Sequence, residues 1–196
     1  MVTIKKIRLF FNLIRVWPHL ILFVVHPKKN LIGEDVKAWR NALGLKESIV
    51  YSFLFLLANY PEFRNICYLR FGLIGSVLNL FCPKLNSLYI TTSDIKGGLF
   101  IQHGFATIIS AKTIGENCWI NQQVTIGYSN KTDCPVLEDN VTIYAGAKVI
   151  GGINIGQNSI IGANCVVVKN VPANCVVVGN PARIVRKNGV KVNIPL

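Results

Sequence analysis

Residues 137–171 read LEDNVTIYAGAKVIGGINIGQNSIIGANCVVVKNV, and an aliphatic residue returns at every sixth position: Leu137, Ile143, Val149, Ile155, Ile161 and Val167. Toward the N-terminus the same spacing joins Ile126, Ile120, Ile114 and Ile108. A second small or β-branched residue sits four positions after most of these, at Cys118, Val124, Val141, Ala147, Ile153, Ser159, Cys165 and Val171. Gly115, Gly127, Gly156 and Gly162 directly follow four of the lead residues. A period of six suits neither an amphipathic helix nor a half-buried alternating strand. It is the pattern of a parallel β-helix built of hexapeptides, each a short strand and a corner, with three to a triangular coil. The lead residues between Ile95 and Val178 are the expected core.

Two interruptions break the period. Ile101 and Ile108 lie seven apart, and the corner between them holds His103, while the other histidines, His19 and His26, fall outside the repeats. Eleven residues separate Ile126 from Leu137, so Tyr128–Pro135 (YSNKTDCP) is expected to leave the coil as a loop. Stacked strands sit ~4.8 Å apart. With about eighteen residues per coil, Asn121 and Gln122 fall one coil above His103, and Asn86 and Ser87 one coil below. Polar groups therefore gather on one edge of the prism. A histidine beside glycine at a broken repeat reads as an exposed working group. One histidine excludes a three-histidine zinc site, and no metal is expected.

The 196 residues suffice for one large or two small domains, and a hydrophobic content of 51% excludes disorder. Six cysteines without a CxxC pair read as a reduced, cytoplasmic protein rather than a disulfide scaffold. Net charge is +12, yet no aromatic-basic platform supports nucleic-acid binding. Residues 33–46, 48–59 and 63–80 read as helices. Residues 4–17 form a basic amphipathic segment that fits either an anionic membrane surface or the rest of the helical part. No stretch reaches the ~20 apolar residues of a spanning helix, and a signal peptide fits poorly. The expected division is an α-helical domain (1–88), a β-helix (89–185) and a basic C-terminal tail (186–196).

The segments GGLFIQHGFATIISAKTIGENCWINQQVTIGYS and CPVLEDNVTIYAGAKVIGGINIGQNSIIGANCVVVKNVPANCVVVGNPARIV resemble the serine acetyltransferase group of hexapeptide acyltransferases. The likeness is strongest to the branch that acetylates capsule and exopolysaccharide sugars. It implies a left-handed β-helix, a homotrimer and acetyl-CoA as cosubstrate. It also implies that His103 is the base that deprotonates an acceptor hydroxyl, a role imidazole fills near neutral pH. Gly127, Tyr128, Ala145 and Ala163 match positions where the family lays pantetheine between subunits. Lys148, Lys169, Arg183 and Arg186 match candidates for CoA phosphates.

The acceptor side departs from serine-specific members. Gln102 stands where they carry an acid, Asp133-Cys134 stands where they carry Arg-His, and Leu88 replaces the acid that orients the histidine. With Asn121 and Gln122, these residues imply a neutral polyol acceptor. The expectation is O-acetyl transfer to a sugar or glycolipid of bacterial surface polysaccharide synthesis, at the cytoplasmic side and with a peripheral membrane contact. The alternatives are serine O-acetylation for cysteine synthesis and a non-catalytic trimeric scaffold.

Overall fold

The computed structural model describes residues 15–196. Most of the amphipathic segment 4–17 therefore lies outside the described residues. The chain divides into two compact units after Leu85.

The first unit is helical: α1 (15–25), α2 (Lys29–Leu43), α3 (Ile49–Asn59), α4 (Pro61–Phe71) and α5 (Leu73–Phe81). Local chemistry sets the boundaries. Gly44 takes a left-handed φ of 64° and ends α2. Ser48 Oγ accepts from the Tyr51 N–H at 3.3 Å and starts α3. Pro61 occupies the first turn of α4, where its missing N–H costs nothing. The expected single helix 63–80 is broken, because Gly72 adopts φ 61°, ψ −131° between α4 and α5. The expected helix 33–46 instead begins at Lys29, just after the turn at Pro27. Gly75 permits α5 to touch α4, since a Cβ there would lie 2.6 Å from Tyr68 Cα. Trp39, Phe53, Phe63, Leu56 and Ile66 fill the core. Beside it, Arg70 Nε meets Asp35 Oδ2 at 3.1 Å, both side chains being buried.

His19 is also fully buried. The Tyr68 hydroxyl donates to the Cys82 carbonyl at 2.6 Å and lies 3.0 Å from His19 Nε2, from which it accepts. Loss of solvation, aided by the Arg64 and Arg15 charges and opposed by the Val16 carbonyl, lowers the His19 pKa to about 4. The unfolded chain, with His near ~6.5, then binds a proton that the native state refuses. Stability is full above pH ~6.5 and falls as pH drops toward about 4, by ~3 kcal/mol in all. Denaturation followed by helical circular dichroism at pH 7 and at pH 4.5 is expected to show this loss, and His19→Leu to remove most of it. Equal losses in parent and variant would assign the acid sensitivity elsewhere.

The second unit is a solenoid whose chain visits three parallel sheets in turn. The first sheet stacks β1 (Leu88–Ile90), β4 (Thr107–Ile109), β7 (Thr125–Gly127), β10 (Lys148–Ile150) and β13 (Val166–Val167). The second stacks β2 (Asp94–Ile95), β5 (Thr113–Ile114), β8 (Val136–Leu137) and β11 (Asn154–Ile155). The third stacks β3 (Phe100–Ile101), β6 (Trp119–Ile120), β9 (Thr142–Ile143), β12 (Ile160–Ile161) and β14 (Cys175–Val178). It then continues antiparallel through β15 (Arg183–Lys187) and β16 (Val190–Pro195). Residues 186–196, expected as a tail, thus belong to a terminal hairpin.

Lead residues stack on lead residues: Ile114 on Leu137, Ile120 on Ile143, Val149 on Val167. All from Ile114 to Val167 are buried, as are the small residues four positions later. Ile108 is the exception. It is 43% exposed, whereas Thr107 and Ile109 point inward and Ile109 pairs with Ile126. The corner before β4 carries two extra residues rather than one, which turns Ile108 outward. Regular corners use a left-handed residue that is often Asn, at Asn117, Asn140, Asn158, Asn164 and Asn174. Asn tolerates that conformation better than most side chains.

Candidate active site

The first feature lies on the edge where the chain passes from the third sheet to the first. Between β3 and β4, His103, Gly104 and Ala106 all have positive φ, at 65°, 57° and 51°. A non-glycine residue held there costs roughly 1–3 kcal/mol, a strain that collects at functional sites. Local bonds hold the turn: Gly104 N–H to the Gln102 carbonyl (2.8 Å), Thr107 Oγ1 to the Phe105 carbonyl (3.1 Å) and Gln123 N–H to the same carbonyl (3.0 Å). The His103 side chain stands exposed, and among the described residues nothing hydrogen-bonds to its ring. Asn86 and Ser87, expected one coil below, make no hydrogen bond to it. Ser87 gives its carbonyl to the Thr107 N–H at 3.1 Å, and Leu88 is buried in β1.

Strand register builds the rest of this edge. Ile101 pairs with Ile120, so Asn121 stacks on Gln102 and Gln122 on His103. Asn121 Oδ1 accepts from Trp119 Nε1 at 2.7 Å, and Trp119 packs edge-on against Phe100. Gln122 Oε1 is buried without a partner among the described residues. Higher on the edge, Gly146 N–H bonds the Gln122 carbonyl (3.1 Å) and Asn164 N–H the Ala145 carbonyl (2.9 Å). Ala145 and Ala163 therefore rise in line above His103. Lys148 Nζ donates to the Gln123 carbonyl at 2.7 Å.

Gly127, Tyr128, Asp133, Cys134 and Lys169 lie on another edge, where the first sheet passes to the second. In a single subunit the first sheet separates these residues from His103. The loop 128–135 is clasped by Asp133, whose carboxylate accepts from the Ser129 hydroxyl and from the N–H groups of Ser129 (2.9 Å) and Asn130 (3.0 Å). These bonds, the Ser129 hydroxyl foremost, hold its pKa below the usual carboxylate value. Asp133 is thus committed to its own loop. Tyr128 hydrogen-bonds Cys134, which raises the phenol pKa. Beside the loop runs a groove of 600 Å³ lined by Lys112, Thr132, Asp133, Cys134, Gly152 and Asn170. Arg183 lies apart, in β15, with Nε on Asn193 Oδ1 at 2.6 Å, and Arg186 is exposed in the same strand.

Sequence reasoning missed Ser129 and Thr107. Ser129 four positions before Asp133, in a loop opened by Ser-Asn, is a side-chain-to-backbone turn signal. Thr107 was hidden by its aliphatic neighbour, Ile108.

Residues 134–169 match the bacterial transferase hexapeptide (six repeats) family. A serine acetyltransferase of Synechococcus elongatus is 45% identical over 100 residues, 49% of this chain and 41% of that protein. One from Staphylococcus aureus is 48% identical over 98 residues, 48% of this chain and 46% of that protein. The matched stretch thus spans less than half the length of these curated relatives. The fold also superposes on Neisseria gonorrhoeae serine acetyltransferase in complex with serine (TM-score 0.65, 26% identity, 83% of this chain and 70% of that one). Soybean serine acetyltransferase complexed with serine gives TM-score 0.67 at 27% identity, over 83% of this chain and 72% of that one. These matches overturn the expectation of a sugar acceptor in polysaccharide synthesis. Asp133, expected among the acceptor-binding residues, accepts hydrogen bonds within its own loop. The chain carries the hexapeptide transferase repeat on a parallel β-solenoid, and its likeness in sequence and structure is to the serine acetyltransferases.

Proposed function

We propose that the protein is an acetyl-CoA-dependent O-acetyltransferase whose acceptor is the hydroxyl of L-serine. The observation that carries this reading is the His103 corner: an exposed imidazole with no hydrogen bond from the described residues, on a turn held in the left-handed region. The His103 imidazole takes the hydroxyl proton as the serine oxygen attacks the thioester carbonyl. The tetrahedral intermediate collapses, the C–S bond breaks, and the leaving CoA thiolate recovers the proton from the imidazolium. Both substrates are bound together and no acyl-enzyme forms. Gln102 and Asn121, half-buried on the same edge, offer amide oxygens for the substrate ammonium.

The two edges explain the assembly. A homotrimer that sets the His103 edge of one subunit against the 128–135 edge of its neighbour joins what one subunit separates. The small residues Ala145, Ala163 and Gly127 then let pantetheine lie against the backbone, with Lys148, Lys169 and Arg183 the candidates for CoA phosphates.

Release of CoA thiol from acetyl-CoA tests the reading. With L-serine we expect saturable turnover and O-acetylserine as product, while a panel of free sugars gives only the hydrolysis background. No turnover with serine, alongside turnover of any other hydroxyl acceptor, would overturn the assignment.

A further inference from the structure

The helical unit exposes a surface that the proposed chemistry does not use. In α1, Trp17, Ile21, Val24 and Val25 are 53–66% exposed. Their spacing of four, three and one residues places them on one stripe of the helix. The opposite face is buried through Val16 and His19. Beside Val24 opens a groove of 510 Å³ between α1, α2 and α3. Phe23, Val24 and Val50 supply its apolar lining, Gly33 leaves it open because a Cβ there would meet nothing within 4 Å, and Lys29 and Lys37 add positive charge. Glu34 is the one acid along it. Arg15 and Lys28, both exposed, flank the stripe. Residues 1–85 as a whole hold 12 Lys and Arg against 4 Asp and Glu.

We propose that this face docks the protein on an anionic lipid bilayer. The stripe sinks to the acyl boundary, and lipid phosphate sits between Lys29 and Lys37. The pairing of apolar stripe and positive charge is what an interfacial helix needs, and Trp17 suits the headgroup level. Among the described residues no helix is long and apolar enough to cross a membrane, so the contact is with one surface. A second copy is the poorer occupant. A two-fold contact of this face with itself would set lysines against lysines with Glu34 alone to offset them, and like charges disfavour such pairing. The proposal does not depend on which acceptor the solenoid uses.

Sedimentation of the full chain with vesicles tests it, using phosphatidylcholine alone and phosphatidylcholine with about one-third phosphatidylglycerol. Binding is expected to the anionic vesicles only, and to weaken as salt is raised. Lys29→Gln with Lys37→Gln is expected to weaken it about 30-fold, and Ile21→Asp with Val24→Asp to abolish it. All four side chains are exposed, so unchanged circular dichroism and melting certify the fold. No binding, equal binding to both vesicle types, or variants that bind like the parent would overturn the proposal. So would concentration-dependent self-association that Ile21→Asp with Val24→Asp removes, which would assign the face to a second copy.

Discussion

Replacing His103 by Asn is expected to lower kcat by about 10²–10⁴-fold while the KM for acetyl-CoA stays unchanged. Asn is the better probe than Ala, because the corner demands φ 65° and this fold already places Asn in that conformation at Asn117, Asn140 and Asn158. The turn then keeps its backbone and loses only its base. A lost base acts in the transition state, so the defect belongs in kcat rather than in donor binding. Initial rates over a matrix of both substrate concentrations give the separation. Retained kcat would make His103 a structural corner residue. A raised donor KM at unchanged kcat would instead place it in the CoA groove.

Asp35→Ala is expected to destabilise the helical unit by about 3–5 kcal/mol. The Asp35 and Arg70 side chains are 1% and 4% exposed and join at 3.1 Å. Removing the acid leaves a guanidinium buried without its counter-charge, and that uncompensated charge, more than the lost bond, dominates the cost. Asp35→Leu combined with Arg70→Met removes both charges and is expected to recover much of the loss. Denaturant titration followed by helical circular dichroism measures both variants. A single variant within 1 kcal/mol of the parent would show that the pair is dispensable.

The solenoid was legible because burial repeats. From Ile114 to Ile126, and again from Leu137 to Val167, every sixth residue lies inside. Reading failed where the chain departs from it. Ile108 keeps the spacing yet faces out, because the His103 corner is two residues longer than a regular one and shifts the phase. The corner itself was found from that irregularity, but its left-handed backbone is tertiary information. Counting strands from lead residue to lead residue would have shown that the His103 corner and the 128–135 loop leave from different edges. The acceptor was misread for another reason. Asp133 in sequence looks like a substrate contact, and only its bonds to Ser129 and Asn130 reveal it as a clasp of its own loop. In the helical part, turns decided the outcome: Gly72 divides what hydrophobic spacing alone joins into one helix.

The terminal hairpin sets a limit on growth. A parallel solenoid ends in open rows of N–H and C=O groups, and each row is a template on which another chain can add in register, the route to fibres. Here β15 and β16 turn the third sheet antiparallel after β14, with register shifts at Val176/Val177 and Ile184/Arg186. An incoming coil meets β16, set off from β14 by a hairpin whose register slips at both joints, so it cannot continue the third sheet in phase. Deleting residues 183–196 would uncover the parallel edge of β14, and end-to-end polymerisation should follow.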